Sequence, residues 1–159
     1  MREYHNLAED ASRNHHLPAP IGAAYDSNTR KAMLPPIPRG QAFNRTRQRF
    51  LATHLAVAQT HWSRLCGLLG ASRDDFRNGC GLWIRPCRGV HTLAMRYPID
   101  VVYLDRANTV VHVVPNLQPW RFAPVRLQAA SVLELPNHTV AQTETALGDK
   151  IEIQLQEGV

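Results

Sequence analysis

The chain has 159 residues, 44% of them hydrophobic, with a formal charge of +5 and a pI near 9.6. That length and apolar fraction suit one domain with a core of its own, and no apolar run approaches the roughly 20 residues a membrane-spanning helix needs. The positive charge is almost all arginine, with only Lys31 and Lys150 as lysines, and it is scattered; a nucleic-acid reader concentrates such charge on one face, so the pattern argues against that partner.

Residues 1–44 differ from the rest. They hold Pro18, Pro20, Pro35, Pro36 and Pro38, the His15-His16 pair and few clustered apolar residues. Such a segment buries too little apolar surface to offset its ordering entropy. It reads as a disordered or weakly structured tail, followed by a single β domain over residues 45–159. The first residues lack the apolar h-region of a secretory signal, so the expected location is cytoplasmic.

Arg47–Ala58 carries Phe50, Leu51, Leu55 and Val57 and reads as the first strand. The period then changes. Trp62, Leu65, Cys66 and Leu69 fall on one helical stripe, with Thr60 as N-cap and Gly70 as stop. A polar turn over Ser72–Gly79 leads to a short strand, Gly81–Ile84. Ile99–Asp105 is a strong strand, and Arg106-Ala107-Asn108 is a hairpin connection with Asn108 suited to the left-handed region. Thr109–Val114 returns antiparallel. Ser131–Leu135 and Lys150–Leu155 add two more strands, the second alternating Ile151, Ile153 and Leu155 with polar residues, after a turn at Gly148-Asp149. Short, regularly spaced strands with one early helix predict a mainly β fold: a compact antiparallel sandwich or distorted barrel, with one short helix after the first strand.

The three cysteines, Cys66, Cys80 and Cys87, are odd in number and form no CxxC pair. This argues against a disulfide framework and against a structural zinc site.

The blocks Ala58-x-Thr60-x-x-x-Arg64-x-x-Gly67-Leu68-Leu69-Gly70, Gly81-Leu82-Trp83-Ile84-x-Pro86-Cys87, Val90-His91-Thr92-x-x-Met95-x-x-Pro98-Ile99-Asp100-Val101-Val102-Tyr103-Leu104-Asp105, Pro119-Trp120-Arg121, Val132-Leu133-Glu134-Leu135 and Gly148-Asp149 follow one another in order. This series resembles the prokaryotic family called domain of unknown function 192, over about Phe50 to Leu155. The resemblance implies a small, mainly antiparallel β fold and no established activity. The chain departs from that pattern after Leu135: Pro136-Asn137-His138 stands where relatives commonly place a glycine turn.

Three chemistries compete for the stretch from Arg85 to Asp100. Cys87-x3-His91-x3-Met95 offers soft donors in an order suited to copper, but a copper site needs a second histidine, and His54, His61 and His112 sit in no recognisable motif. Cys87, His91 and Asp100 could form a thiol–imidazole–carboxylate triad for hydrolysis. On an extended strand, however, Cys87 and His91 stand roughly 13 Å apart at about 3.3 Å per residue. The bland reading makes Cys87 and Met95 small apolar groups of the core. Asp100, heading an apolar strand, is either exposed or buried against an arginine: Arg64, Arg96 or Arg121. Trp120 and Arg121, on a loop between prolines, make a natural stacking surface. The sequence reading therefore assigns no catalytic residue, metal or cofactor. It expects a module that binds a small ligand or a protein, around His91, Thr92, Asp100, Trp120 and Arg121 with Cys87 nearby. A thiol- and histidine-dependent enzyme and a copper protein are the alternatives.

Overall fold

The computed structural model describes residues 40–58 and 76–156. They form one seven-stranded sheet: β1 (Gly40–Asn44), β2 (Arg49–Ala58), β3 (Cys80–Ile84), β4 (Ile99–Leu104), β5 (Val110–Leu117), β6 (Ser131–Pro136) and β7 (Ile151–Leu155), with a short helix α1 (Thr139–Thr143) between β6 and β7. The expected mainly β fold is what the chain adopts, as a curled half-barrel. The spatial order is β5-β4-β6-β3-β2-β1-β7.

All neighbouring pairs are antiparallel except one. β2 and β3 run parallel, where a wholly antiparallel sheet was expected. A parallel pair needs a crossover of a dozen or more residues, and the segment between Ala58 and Cys80 supplies it. The helix expected over Thr60–Gly70, and with it Cys66, falls outside the described residues.

Both sheet faces are covered. Leu51, Leu55, Trp83, Val102, Leu133 and Leu135, joined by Ile151 and Val140, form the core into which all seven strands project. On the other face Leu82, Ile99, Val101, Tyr103 and Val132 are covered by Phe76, Met95, Tyr97, Ala123 and Ala129, which come from loops. β4 and β6 are therefore buried along their whole length, which is why they read as near-continuous apolar runs. The curl brings the two edge strands together at one end, where Thr109 bridges Lys150 and the Val110 N–H donates to Asp149 O at 2.9 Å.

β1 was assigned to the tail from sequence, yet it sits between β2 and β7. Its inward positions are Gly40, Ala42 and Asn44, small or polar rather than bulky. A Cβ on Gly40 would collide with the Gln154 carbonyl of β7. Asn44 closes this edge: its amide donates to Thr145 Oγ1 at 3.0 Å and to Asp149 Oδ2 at 2.9 Å, while its oxygen accepts from the Thr46 and Arg47 N–H groups.

The connection after β6 also differs from expectation. His138 has φ 73°, so it takes the left-handed conformation that a glycine turn supplies at no steric cost. α1 follows it directly, built from Thr-Val-Ala-Gln-Thr with no side-chain cap from His138.

Candidate functional site

Asp100 shows how the signature stretch works. β4 and β5 pair Ile99 with Leu117 and Val101 with Val114. One residue of β4, Asp100, thus faces two of β5, Pro115 and Asn116: a β-bulge. Proline lacks an N–H, and β5 is an edge strand, where proline is tolerated. Asn116 is left-handed at φ 53°, and its N–H donates to Asp100 Oδ1 at 2.9 Å. The other carboxylate oxygen accepts from the Val140 N–H of α1 at 2.8 Å. Asp100 therefore caps α1 from a neighbouring strand, satisfying a first-turn donor that His138 does not. It is 1% exposed, and among the described residues these two backbone amides take the place of the expected arginine; Arg96 and Arg121 are exposed, and Arg64 lies outside the described residues.

Thr92 is a second clamp on the same segment. Its hydroxyl donates to Gln118 O at 2.7 Å and accepts from the Arg121 N–H at 3.0 Å. Its backbone pairs with both sides of the turn, receiving the Trp120 N–H at 2.9 Å and donating to Arg121 O at 2.9 Å. From there residues 88–92 and 121–126 run together as an irregular ribbon: the Ala123 N–H donates to Val90 O, the Arg126 N–H to Arg88 O, and His91 bridges Phe122.

Tyr103 is the third clamp. Its hydroxyl donates to Pro124 O at 2.8 Å. Burial, and after it the neighbouring Cys87 sulfur, push that hydroxyl up to about 12, so it remains a donor throughout the physiological range.

Three buried polar side chains thus hold residues 116–124 at four points, and the ribbon they anchor is apolar and exposed out to Leu127. Trp120 is 62% exposed, Phe122 73%, Val125 67% and Leu127 77%. Trp120 sits at φ 61°, an uncommon conformation for a bulky residue that persists only where surroundings fix it. The His91 ring meets Phe122 edge-on, centroids 6.1 Å apart, and its Nδ1 is buried without a partner. Arg121 reaches back to Trp120 O at 3.2 Å. Arg126 lies 3.0 Å from His112 Nε2, and burial with that guanidinium lowers the His112 imidazole below its ordinary range.

Of the six residues singled out from sequence, the ribbon brings together His91, Thr92, Trp120 and Arg121. Thr92 faces inward and holds; Trp120 and Arg121 face outward. Cys87 stands in the next wall, its thiol donating to Gly89 O at 3.1 Å and its carbon packed against the loop-covered core beside the buried Met95. Asp100 acts at the bulge, both oxygens engaged by amides. The sequence reading passed over Phe122, Val125, Leu127 and Tyr103. The signal for the first three was present: apolar residues interleaved with arginine and proline in a stretch with no strand period.

The family described as DUF192, uncharacterized ACR, matches residues 42–153. A UPF0127 protein of Thermococcus sibiricus is 24% identical over 119 residues, which is 72% of this chain and 75% of that protein. A UPF0127 protein of Pyrococcus furiosus is 35% identical over 63 residues, 40% of this chain and 53% of that protein. Among solved structures, a Novosphingobium aromaticivorans protein of unknown function superposes with a TM-score of 0.63 at 17% identity, over 73% of this chain and 84% of that one. One described as a putative transcription regulator, from Sinorhizobium meliloti, gives 0.62 at 20% identity over 72% and 92%. Likeness at these identities speaks for the fold.

Proposed function

The chain belongs to the DUF192 family, and on that premise we propose that this domain is a binding module that docks a protein partner on the ribbon of residues 88–92 and 120–127. The observation that carries the reading is the concentration of exposed apolar side chains. Of seven large exposed hydrophobic residues among those described, four lie between Trp120 and Leu127. Clustered apolar exposure marks an interaction surface where scattered exposure does not. The residue types fit as well, since aromatic residues and arginine dominate the energetic centres of protein interfaces.

The partner is defined by what faces it. Arg121 and Arg126 interleave with Trp120, Phe122 and Val125, so the complementary segment pairs apolar anchors with acidic side chains. Preorganisation supports the same reading. An exposed loop held at Asn116, Gln118, Arg121 and Pro124 by buried groups loses little freedom on binding. The thiol–imidazole–carboxylate alternative has less to rest on. Asp100 gives both oxygens to backbone amides, which leaves His91 without that carboxylate as orienting group.

Peptides selected by display against the full chain provide the test. Those that bind are expected to carry acidic and apolar residues together and to weaken at least tenfold against Trp120→Ala and against Arg121→Ala. Selected peptides that bind both variants as they bind the parent contradict the reading. So does a dimer that Trp120→Ala dissociates, which makes a second copy the occupant, or adsorption to anionic lipid vesicles that Trp120→Ala abolishes, which makes it a membrane surface.

A further inference from the structure

A second concave surface lies at the end of the sheet where β3 leaves, β6 begins and the β4–β5 hairpin turns. One hollow, of about 380 Å³, is floored by Trp83 and Ser131 and walled by Arg85, Arg106 and Asn108. Another, of about 700 Å³, is walled by Cys87, Arg88, Leu127 and Gln128. Both are lined by Pro86, Asp105, Arg106 and Ala130, so they are two ends of one trench. Arg88 and Leu127 border both this trench and the ribbon, whereas Trp120, Phe122 and Arg121 line neither hollow.

Its lining carries three arginines against one carboxylate. Arg85 lies at one end, Arg88 at the other and Arg106 borders both. The carboxylate in the lining, Asp105, turns one oxygen to the hairpin, its Oδ1 accepting the Ala107 and Thr109 N–H groups at 2.8 Å each, and the three arginines outnumber its charge. Arg85 is held in place, its guanidinium 4.7 Å from the centroid of the Trp83 ring. Trp83 itself is 5% exposed, and its indole Nε1–H is buried with no acceptor. Indole is a donor only, and a buried donor without an acceptor costs more than most single interactions return. A hollow ringed by arginine forks suits a ligand rich in anionic acceptor oxygens.

We propose that this trench binds a small molecule bearing a chain of phosphates, with Arg85, Arg106 and Arg88 contacting successive phosphate groups and Trp83 beneath one end. Arginine suits this because its planar fork meets two phosphate oxygens at once. A succession of three arginines fits a linear chain of anionic groups better than a single compact anion. The same phosphate oxygens occur along a nucleic-acid strand, so the test separates the two sources.

The full chain is titrated with inorganic tripolyphosphate by calorimetry at low ionic strength, with monophosphate and an eight-residue deoxythymidine oligonucleotide in parallel. Saturable one-to-one binding of tripolyphosphate is expected, at least tenfold tighter than monophosphate. It should weaken at least tenfold in Arg106→Ala and in Arg85→Ala and stay unchanged in Arg45→Ala, whose arginine pairs with Glu152 elsewhere. Circular dichroism confirms that each variant is folded; Arg106→Gln, which removes the charge but keeps a polar side chain, serves if the alanine variant is not. Absence of saturable binding overturns the proposal, as does an equal loss in Arg45→Ala, which reports charge alone. Oligonucleotide binding tighter than tripolyphosphate and lost with Arg106 assigns the trench to a nucleic-acid strand and also overturns it.

Discussion

Glu134 permits the sharpest quantitative check on the fold. It lies on the interior strand β6, opposite Leu82 of β3 and Val101 of β4. It is 3% exposed, and its Oε2 has no hydrogen-bond partner. Burial pushes its carboxyl from the ordinary 4.5 up to about 8, so the folded chain holds a proton there that the unfolded chain releases. The folded state then binds more protons between these two values, and stability must fall as pH rises through that window. At about 1.4 kcal/mol per unit, stability is expected to drop by about 3 kcal/mol between pH 5.5 and 7.5 relative to a chain without this group. Glu134→Gln is that reference: it keeps the shape and cannot ionise. Urea denaturation of both proteins at pH 5.5, 6.5 and 7.5 gives the comparison, and taking the difference removes contributions common to both, including that of His112, which opposes the trend by titrating below its ordinary range. The parent should lose ground steadily against Glu134→Gln as pH rises. Parallel stability curves would refute a buried, unpartnered carboxyl at this position.

Other perturbations test the clamps. Asp100→Asn keeps one acceptor where two amides need one each, and should cost about 1–3 kcal/mol in urea denaturation, with hydrogen exchange quickening at the Asn116 and Val140 amides. Thr92→Val preserves volume but strands the Arg121 N–H and Gln118 O; a loss of about 1–3 kcal/mol is expected, with Thr92→Ser restoring most of it. At Asp149, burial alone would raise the carboxyl, but hydrogen bonds from Asn44, the Ala146 N–H and Arg47 outweigh it and hold the group below its ordinary value. Its stabilisation is therefore present above about pH 4 and lost on acidification below that, as expected for a carboxylate whose folded value is depressed. Asp149→Asn should flatten the acid limb of an unfolding profile measured from pH 5 to pH 2.

The strands that could be read from sequence were those whose apolar residues alone account for their burial. β4 and β6 are near-continuous apolar runs, broken by Asp100 and Glu134, because both faces are covered, and β7 alternates because one face is not. β1 escaped notice because Gly40, Ala42 and Asn44 are buried through close backbone approach and hydrogen bonding rather than bulk. α1 escaped because it is only five residues long and three of them are β-branched, held by Asp100 from another strand. The parallel pairing of β2 and β3 is a matter of long-range topology that no local period encodes. For the candidate site, the sequence grouped His91, Thr92, Asp100, Trp120, Arg121 and Cys87. It did not separate the residues that hold from those that are held. Thr92 and Asp100 are polar and sit among apolar residues, which suggested ligand contact; their partners are backbone groups of residues 116–121 and 140, more than a dozen positions away.

The proposed role of the signature residues is to position an exposed aromatic ribbon for a partner. The most direct measurement is a nitrogen–proton correlation spectrum of the full chain, recorded as a selected peptide is added. The largest shifts are expected at the amides of residues 88–92 and 120–127 and at the indole N–H of Trp120, with the amides of β1 and β7 unmoved. Shifts centred on the β1–β7 edge, with the Trp120 indole unchanged, would contradict it.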